Sequence, residues 1–113
     1  MDCLFCKIVN GAIPAGKVFE DDQTIAFRDI NPQAPTHILI VPKKHIGSLA
    51  EAQGNEDKLL LGHLLALVQQ IARSENLTGG YRTVINTGSD GGQTVDHLHL
   101  HLLGGRAMHW PPG

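Results

Sequence analysis

Residues 97–103 read His97-Leu98-His99-Leu100-His101-Leu102-Leu103, and no other run restricts the fold as strongly. Alternation of this regularity has the period of a β-strand, whose successive side chains point to opposite faces. A strand here puts His97, His99 and His101 on one face and Leu98, Leu100 and Leu102 on the other. The leucine face belongs to a core. Imidazoles about 6.5 to 7 Å apart along one face form a ladder that can hold a small anion, or a metal, between neighbours.

The 113 residues suit one domain, long enough to close a single core and short enough that pairing with a second copy would help it. Two cysteines and the absence of an apolar run at the start point to a cytoplasmic protein. The longest apolar stretches, such as 38–41 and 64–68, fall far below the roughly 20 residues that span a bilayer. A net charge of −2 and no block of Lys and Arg argue against nucleic acid as a partner.

Along the chain, Cys3-Leu4-Phe5-Cys6-Lys7-Ile8-Val9 is short and amphipathic and closes at Asn10-Gly11. Cys-x-x-Cys reads as a metal pair, a redox dithiol or two packed thiols. The βαβ context of a redox motif is missing, a disulfide is disfavoured in a reducing compartment, and zinc would need two further ligands. A hairpin follows, from 17–20 through Asp21-Asp22 into 23–29, with Ile25, Phe27 and Asp29 sharing a face. A carboxylate ending an apolar row suits a nucleoside, whose ribose needs an acceptor; Asp29 is equally suited to start the turn Asp29-Ile30-Asn31-Pro32. The run 36–41 is apolar on both faces, as in a central strand, with Pro42 ending it. His37 is its odd residue, a hydrogen-bonded core group or a ligand. Lys43-Lys44-His45 reads as a solvated surface loop.

One long helix is expected over about 55–76, with Asn55 as N-cap, Glu56 and Asp57 in its first turn and Gly79-Gly80 closing it. Leu60, Leu61, Leu64, Leu65, Leu67, Val68, Ile71 and Ala72 make a broad apolar stripe, wide enough to meet a second subunit as well as the sheet. His63, at its border, has no evident partner and reads as structural. A strand is expected over 82–86, then the glycine-rich loop 87–95. That loop is either an ordinary hairpin connection or a nest of N–H groups that delivers a phosphate to the imidazoles. Trp110, near the end of a proline-rich tail, is either loosely packed or buried against a partner chain.

Taken together, His97 to Leu103, the stretch Phe27 to His37, the loop Ser89-Asp90-Gly91-Gly92-Gln93-Thr94 and the closing Gly104-Gly105-Arg106 to Gly113 resemble the histidine-triad superfamily, in its nucleotide-binding branch of purine nucleoside phosphoramidases. The resemblance runs essentially end to end. It implies an α+β fold: a five-stranded antiparallel sheet, one long helix and a short N-terminal helix. It also implies a single domain over 1–113 and a homodimer that continues the sheet, with the tail 104–113 and Trp110 contributing to the partner's site. The implied reaction is P–N cleavage in purine nucleoside 5′-phosphoramidates, extending to aminoacyl-adenylates, through a covalent nucleotidyl-histidine. His99 is the implied nucleophile, His101 and the N–H groups around Gly92, Gln93 and Thr94 the donors to phosphate, and the Thr94 hydroxyl a donor to the leaving amine. Asn86 would orient the nucleotide, Asp29 would take the ribose, and Leu4, Phe5, Ile8, Phe27 and Ile30 would wall the purine. His37 and His97 would support the triad.

Two departures stand out. Asp96 occupies a position where the branch commonly carries an aromatic residue. Cys3, Cys6 and His45 are absent from many of its members but resemble those histidine-triad proteins that bind zinc, which implies a Cys3, Cys6, His45, His97 ligand set for a structural ion, with no cofactor needed for the chemistry. The alternatives are a catalytic metal on His99 and His101, a nucleotide-binding sensor or scaffold without turnover, and a dinucleoside polyphosphate hydrolase of the same superfamily.

Overall fold

The computed structural model describes residues 3–113. In chain order it contains α1 (Leu4–Val9), β1 (Lys17–Glu20), β2 (Thr24–Arg28), β3 (Thr36–Pro42), a 3-10 turn (Leu49–Glu51), α2 (Gly54–Ser74), β4 (Tyr81–Val84) and β5 (Leu100–Gly104). The strands form one antiparallel sheet in the order β1-β2-β3-β5-β4. This is the α+β architecture expected, with one long helix and one short N-terminal helix. No helix among the described residues is long and apolar enough to cross a membrane.

Parity sorts the two sides of the sheet. Ala26, Ile38, Ile40, Leu98, Leu100 and Leu102 pack beneath Leu60, Leu64, Leu67, Val68, Ile71 and Ala72 of α2. On the opposite face, Ile25, Phe27, Leu39 and Val41 pack with Phe5 of α1, so α1 covers the side that carries the imidazoles. Both faces of β3 are thus buried, which explains its continuous apolar run.

Several boundaries differ from expectation for local reasons. The ladder with β3 runs only from Thr36↔Gly104 to Ile40↔Leu100, so β5 starts at Leu100 rather than His97. Ahead of it the Leu98 N–H turns to the Ile46 carbonyl, 2.7 Å away, instead of to β3. Alternation survives without the ladder, and Leu98, Leu100 and Leu102 are all buried. The cap of α2 is Gln53, not Asn55. The Asp57 carboxylate reaches back to the Gln53 N–H at 2.9 Å and also holds Lys44 at 2.7 Å. At the far end Asn76, with φ 59°, terminates the helix before Gly79-Gly80. The Leu77 N–H returns to Ala72 O and the Asn76 N–H to Arg73 O, the paired bonds of a Schellman motif. Of the apolar stripe, Leu65 is 52% exposed and is not covered by the sheet.

Other expectations resolve on single contacts. The Lys43-Lys44-His45 run is not a free solvated charge run: Lys43 pairs with Glu20 and Lys44 with Asp57, each at 2.7 Å. His63 has a partner, Asp21, at 2.7 Å across the β1–β2 turn. The expected strand 82–86 ends at Val84, so Asn86 lies beyond it. β4 forms one edge of the sheet, and Trp110 is 84% exposed.

Candidate active site and metal centre

A cavity of about 290 Å³ opens between α1 and the imidazole-bearing face of the sheet. Leu4, Phe5, Ile8, Phe27 and Ile30 line it as expected, with Asp29, Thr94, His99 and His101 supplying its polar groups. The Phe5 ring meets Phe27 edge-on at 5.6 Å and His99 at 5.0 Å. Lining that sequence reading missed comes from Ile13, Pro14, Ala15, Leu39 and Val95. Leu39 was accessible in principle, since β3 parity puts it on the face of His37. The 13–15 segment carries no periodicity and reaches the cavity only through the tertiary fold.

Three expected residues, Asn86, Gly92 and Gln93, are not among the cavity lining. The reading of the glycine loop as a phosphate nest fails at two of its three donors: the Gly92 N–H bonds Ser89 O and the Gln93 N–H bonds Gly88 O. The Gln93 side chain braces the loop internally, accepting from Gly88 N–H and donating to Gly47 and Val95 carbonyls. Asp29 is a turn residue and also lines the cavity. Its Oδ1 accepts the Asn31 N–H at 2.8 Å, as a turn residue does, while the carboxylate lines the cavity. Asp96 is exposed and leaves the packing around the triad to its neighbours.

The bonding partners dictate the imidazole tautomers. A carbonyl can only accept, so His99 Nδ1, 2.7 Å from His97 O, must carry its proton, and Nε2 keeps the lone pair. A backbone N–H can only donate, so His37 Nδ1, 3.1 Å from Gln33 N, must accept. The His37 proton then sits on Nε2 and is donated to His101 Nδ1 at 2.9 Å. His101 in turn carries its proton on Nε2. A neutral His99 therefore offers a lone pair, and a neutral His101 an N–H donor.

Burial holds His37 below the usual histidine value, opposed by Asp29. Burial, reinforced by His99 and His37, takes His101 down to about 4. The unfolded chain takes up protons near 6.5 that the folded chain refuses until about 4. Stability should therefore be full above pH 6.5 and decline as pH falls through that window. In melting curves from pH 7 to 4.5 at constant ionic strength, the parent is expected to lose stability more steeply than His101→Gln. Equal slopes would remove the assignment.

The third imidazole faces elsewhere. His97 donates Nε2–H to Pro42 O at 2.8 Å, which leaves a lone pair on Nδ1. Around that atom stand Cys3 Sγ at 3.3 Å, Cys6 Sγ at 3.6 Å and His45 Nδ1 at 3.1 Å, with Cys6 Sγ 3.3 Å from His45 Nδ1. All four donor atoms lie within 4.8 Å of one another. Tetrahedral zinc with ordinary Zn–N and Zn–S bonds has donor–donor edges of about 3.3 to 3.8 Å, so the donor set fits zinc and fills its four positions. The Pro42 carbonyl supplies the outer hydrogen bond that a ligating imidazole requires. Cys3 Sγ also caps α1 by accepting the Cys6 N–H.

Asp29, His37 and His101 form a second convergent trio. A metal there would need the lone pair that His37 Nε2 has given up to its proton, so the trio is a hydrogen-bond relay instead. The same protonation of His101 Nε2 argues against a catalytic metal shared by His99 and His101.

This arrangement has close counterparts. The chain is 56% identical to a HIT family hydrolase from Legionella pneumophila, superimposing with a TM-score of 0.95 over 99% of this chain and 100% of that one. A histidine triad nucleotide-binding protein from Candida albicans is 33% identical, with a TM-score of 0.82 over 99% of this chain and 85% of that one. A 14 kDa zinc-binding protein of Zea mays is 52% identical over 97% of this chain and 87% of its own. With residues 10–108 matching the HIT domain family throughout, the chain that holds its three alternating histidines between a cluster of two thiols and two imidazoles and a cleft belongs to that family.

Proposed function

We propose that the protein hydrolyses the P–N bond of purine nucleoside 5′-phosphoramidates, and of related adenylates, to the nucleoside monophosphate. The observation that carries this reading is the pairing at the cavity floor of a lone pair, His99 Nε2, with a donor, His101 Nε2–H. Transfer of a nucleotidyl group needs both: a nucleophile for phosphorus and a donor for the oxygen on which charge builds. The apolar walls suit a purine, and Asp29 at the rim suits ribose hydroxyls. The relationship to a HIT family hydrolase and to a nucleotide-binding protein supports the class of reaction.

In the first step the His99 lone pair forms a bond to the α-phosphorus while the phosphorus–amine bond breaks. The departing amine takes a proton, for which the Thr94 hydroxyl lines the cavity. In the second step water attacks the phosphorus and gives up a proton, which restores the one the Thr94 hydroxyl passed to the amine, while the phosphorus–His99 bond breaks and His99 leaves as a neutral imidazole. His37 acts through His101, and His97 acts through its carbonyl on His99. Cys3, Cys6, His45 and His97 would hold zinc, which would supply structure by fixing α1 and His97.

The test is mass spectrometry of enzyme quenched during turnover of adenosine 5′-phosphoramidate, where one adenylyl group on the peptide containing His99 is expected. Turnover without any adduct, under conditions where the second step is slow, would overturn the covalent route. The functional unit we propose is a dimer joined along β4, with Trp110 reaching the partner's site. Native spectra of the same sample should give twice the chain's 12.2 kDa, and a single-chain mass at micromolar concentration would refute it.

A further inference from the structure

The Arg106 side chain lies outside the cavity lining, yet it grips the segment that programs His37. Its Nε and Nη2 both donate to the Gln33 carbonyl, at 3.3 and 3.0 Å, while Nη1 ties back to Ala107 O at 3.1 Å. Gln33 is the residue whose N–H enters His37 Nδ1. The rest of the segment is a chain of short bonds: Gln33 Nε2 to Asn31 O, and Asn31 N–H to Asp29 Oδ1. Gly105 brings the arginine into register. Its φ of 88° and its approach to Pro35, where a Cβ would come within 2.8 Å of the ring, suit glycine and disfavour a side chain.

The geometry points to Arg106 as a positioning residue for the catalytic imidazoles: the tail guanidinium pins Gln33, Gln33 fixes the proton of His37 on Nε2, and His37 fixes that of His101 on the atom facing the substrate. If Gln33 moves away, the other His37 tautomer, with the proton on Nδ1, is opposed only by the Asp29 carboxylate, whose Oδ2 lies 3.5 Å from His37 Nε2. His37 Nε2 then accepts from His101 Nδ1–H, and His101 turns a lone pair toward the cavity in place of a donor. A phosphate oxygen meets repulsion where it had a hydrogen bond. Most of the walls of the base pocket come from α1, β2 and β3, with Ile30 the one apolar wall in the gripped segment, so binding of the base is largely preserved. The fork matters as well as the charge. Two guanidinium N–H groups on different nitrogens converge on one oxygen, and a lysine ammonium, a single nitrogen with rotatable donors on a flexible stem, cannot reproduce that planar fork.

The proposal rests on the assignment of His99 and His101 given above, and its test has one arm independent of turnover. The ¹⁵N-labelled free protein is examined at pH 7.5 by long-range proton–nitrogen correlation of the imidazoles, which distinguishes Nδ1–H from Nε2–H tautomers, in the parent, Arg106→Ala and Arg106→Lys. The parent is expected to show His37 and His101 as Nε2–H; Arg106→Ala a mixture at both; and Arg106→Lys an intermediate pattern. With adenosine 5′-phosphoramidate, Arg106→Ala should lose about fivefold in kcat, the scale of one exposed charge-assisted hydrogen bond, with KM changed less than about twofold. Parental tautomers in Arg106→Ala, or shifted tautomers with parental kcat, would overturn the proposal. A parent that turns over no phosphoramidate would sink the functional reading alone, and the tautomer spectra would still decide the role of Arg106.

Discussion

Replacing His99 by alanine is expected to lower phosphoramidate hydrolysis by about a thousandfold or more while AMP binding stays within about fivefold of the parent. The split follows from which atoms do which work. In the proposed reading affinity comes from the cavity walls Leu4, Phe5, Ile8 and Phe27 and from Asp29, none of which the substitution removes. Catalysis needs the Nε2 lone pair, and without it water must attack phosphorus directly, with no nucleotidyl intermediate to divide the barrier. Calorimetric titration with AMP and initial rates on the same sample make the comparison. A variant hydrolysing at the parental rate removes the nucleophile assignment. A variant that loses both binding and rate has lost the pocket and must be judged alongside His99→Asn, which fills more of the space beside Phe5.

Stripping the metal is expected to cost the protein both stability and nucleotide affinity. α1 has only six residues, too few to persist alone. Cys3 and Cys6 stand beside His45 and His97 at its first turn, and Leu4 and Phe5, between the two cysteines, form part of the cavity wall. Releasing the ion frees two thiols and two imidazoles and lets the wall move away from the sheet. Phe5 also touches His97 edge-on at 5.9 Å, so the loosening reaches the residue whose carbonyl aligns His99. Protein purified without a histidine tag should contain one zinc per chain. Chelation should lower the melting temperature by about 10 °C or more and weaken AMP at least about tenfold. Zinc below about 0.2 equivalents would argue against the site. A chelated protein with unchanged affinity would separate the metal from the pocket.

The alternating leucines and histidines made the sidedness of the sheet legible, because a period of two survives even where the ladder does not. Residues 97–99 keep their alternation although the regular strand begins only at Leu100. The β1–β2 hairpin, the central strand and the long helix were likewise readable, since each has its own periodicity and end signals. Helix ends were less so. Asn55 has the right chemistry for a cap, but the carboxylate of Asp57 bonds the Gln53 N–H instead, and Asn76 rather than a glycine takes the left-handed position. Residue type showed which groups are able to cap, and only the surrounding loops decided which do.

What the sequence by itself determined is the inventory: three imidazoles on one face, a carboxylate ending an apolar row, two thiols one helical turn apart, and the family to which such a set belongs. What only the tertiary structure decided is the division of labour among the histidines. Donor and acceptor roles depend on which carbonyl or N–H faces each ring nitrogen, and those partners come from positions far along the chain: Pro42 for His97, His37 and Gln33 for His101, and Arg106 behind Gln33. A histidine looks the same in any sequence, but its proton goes where its neighbours allow.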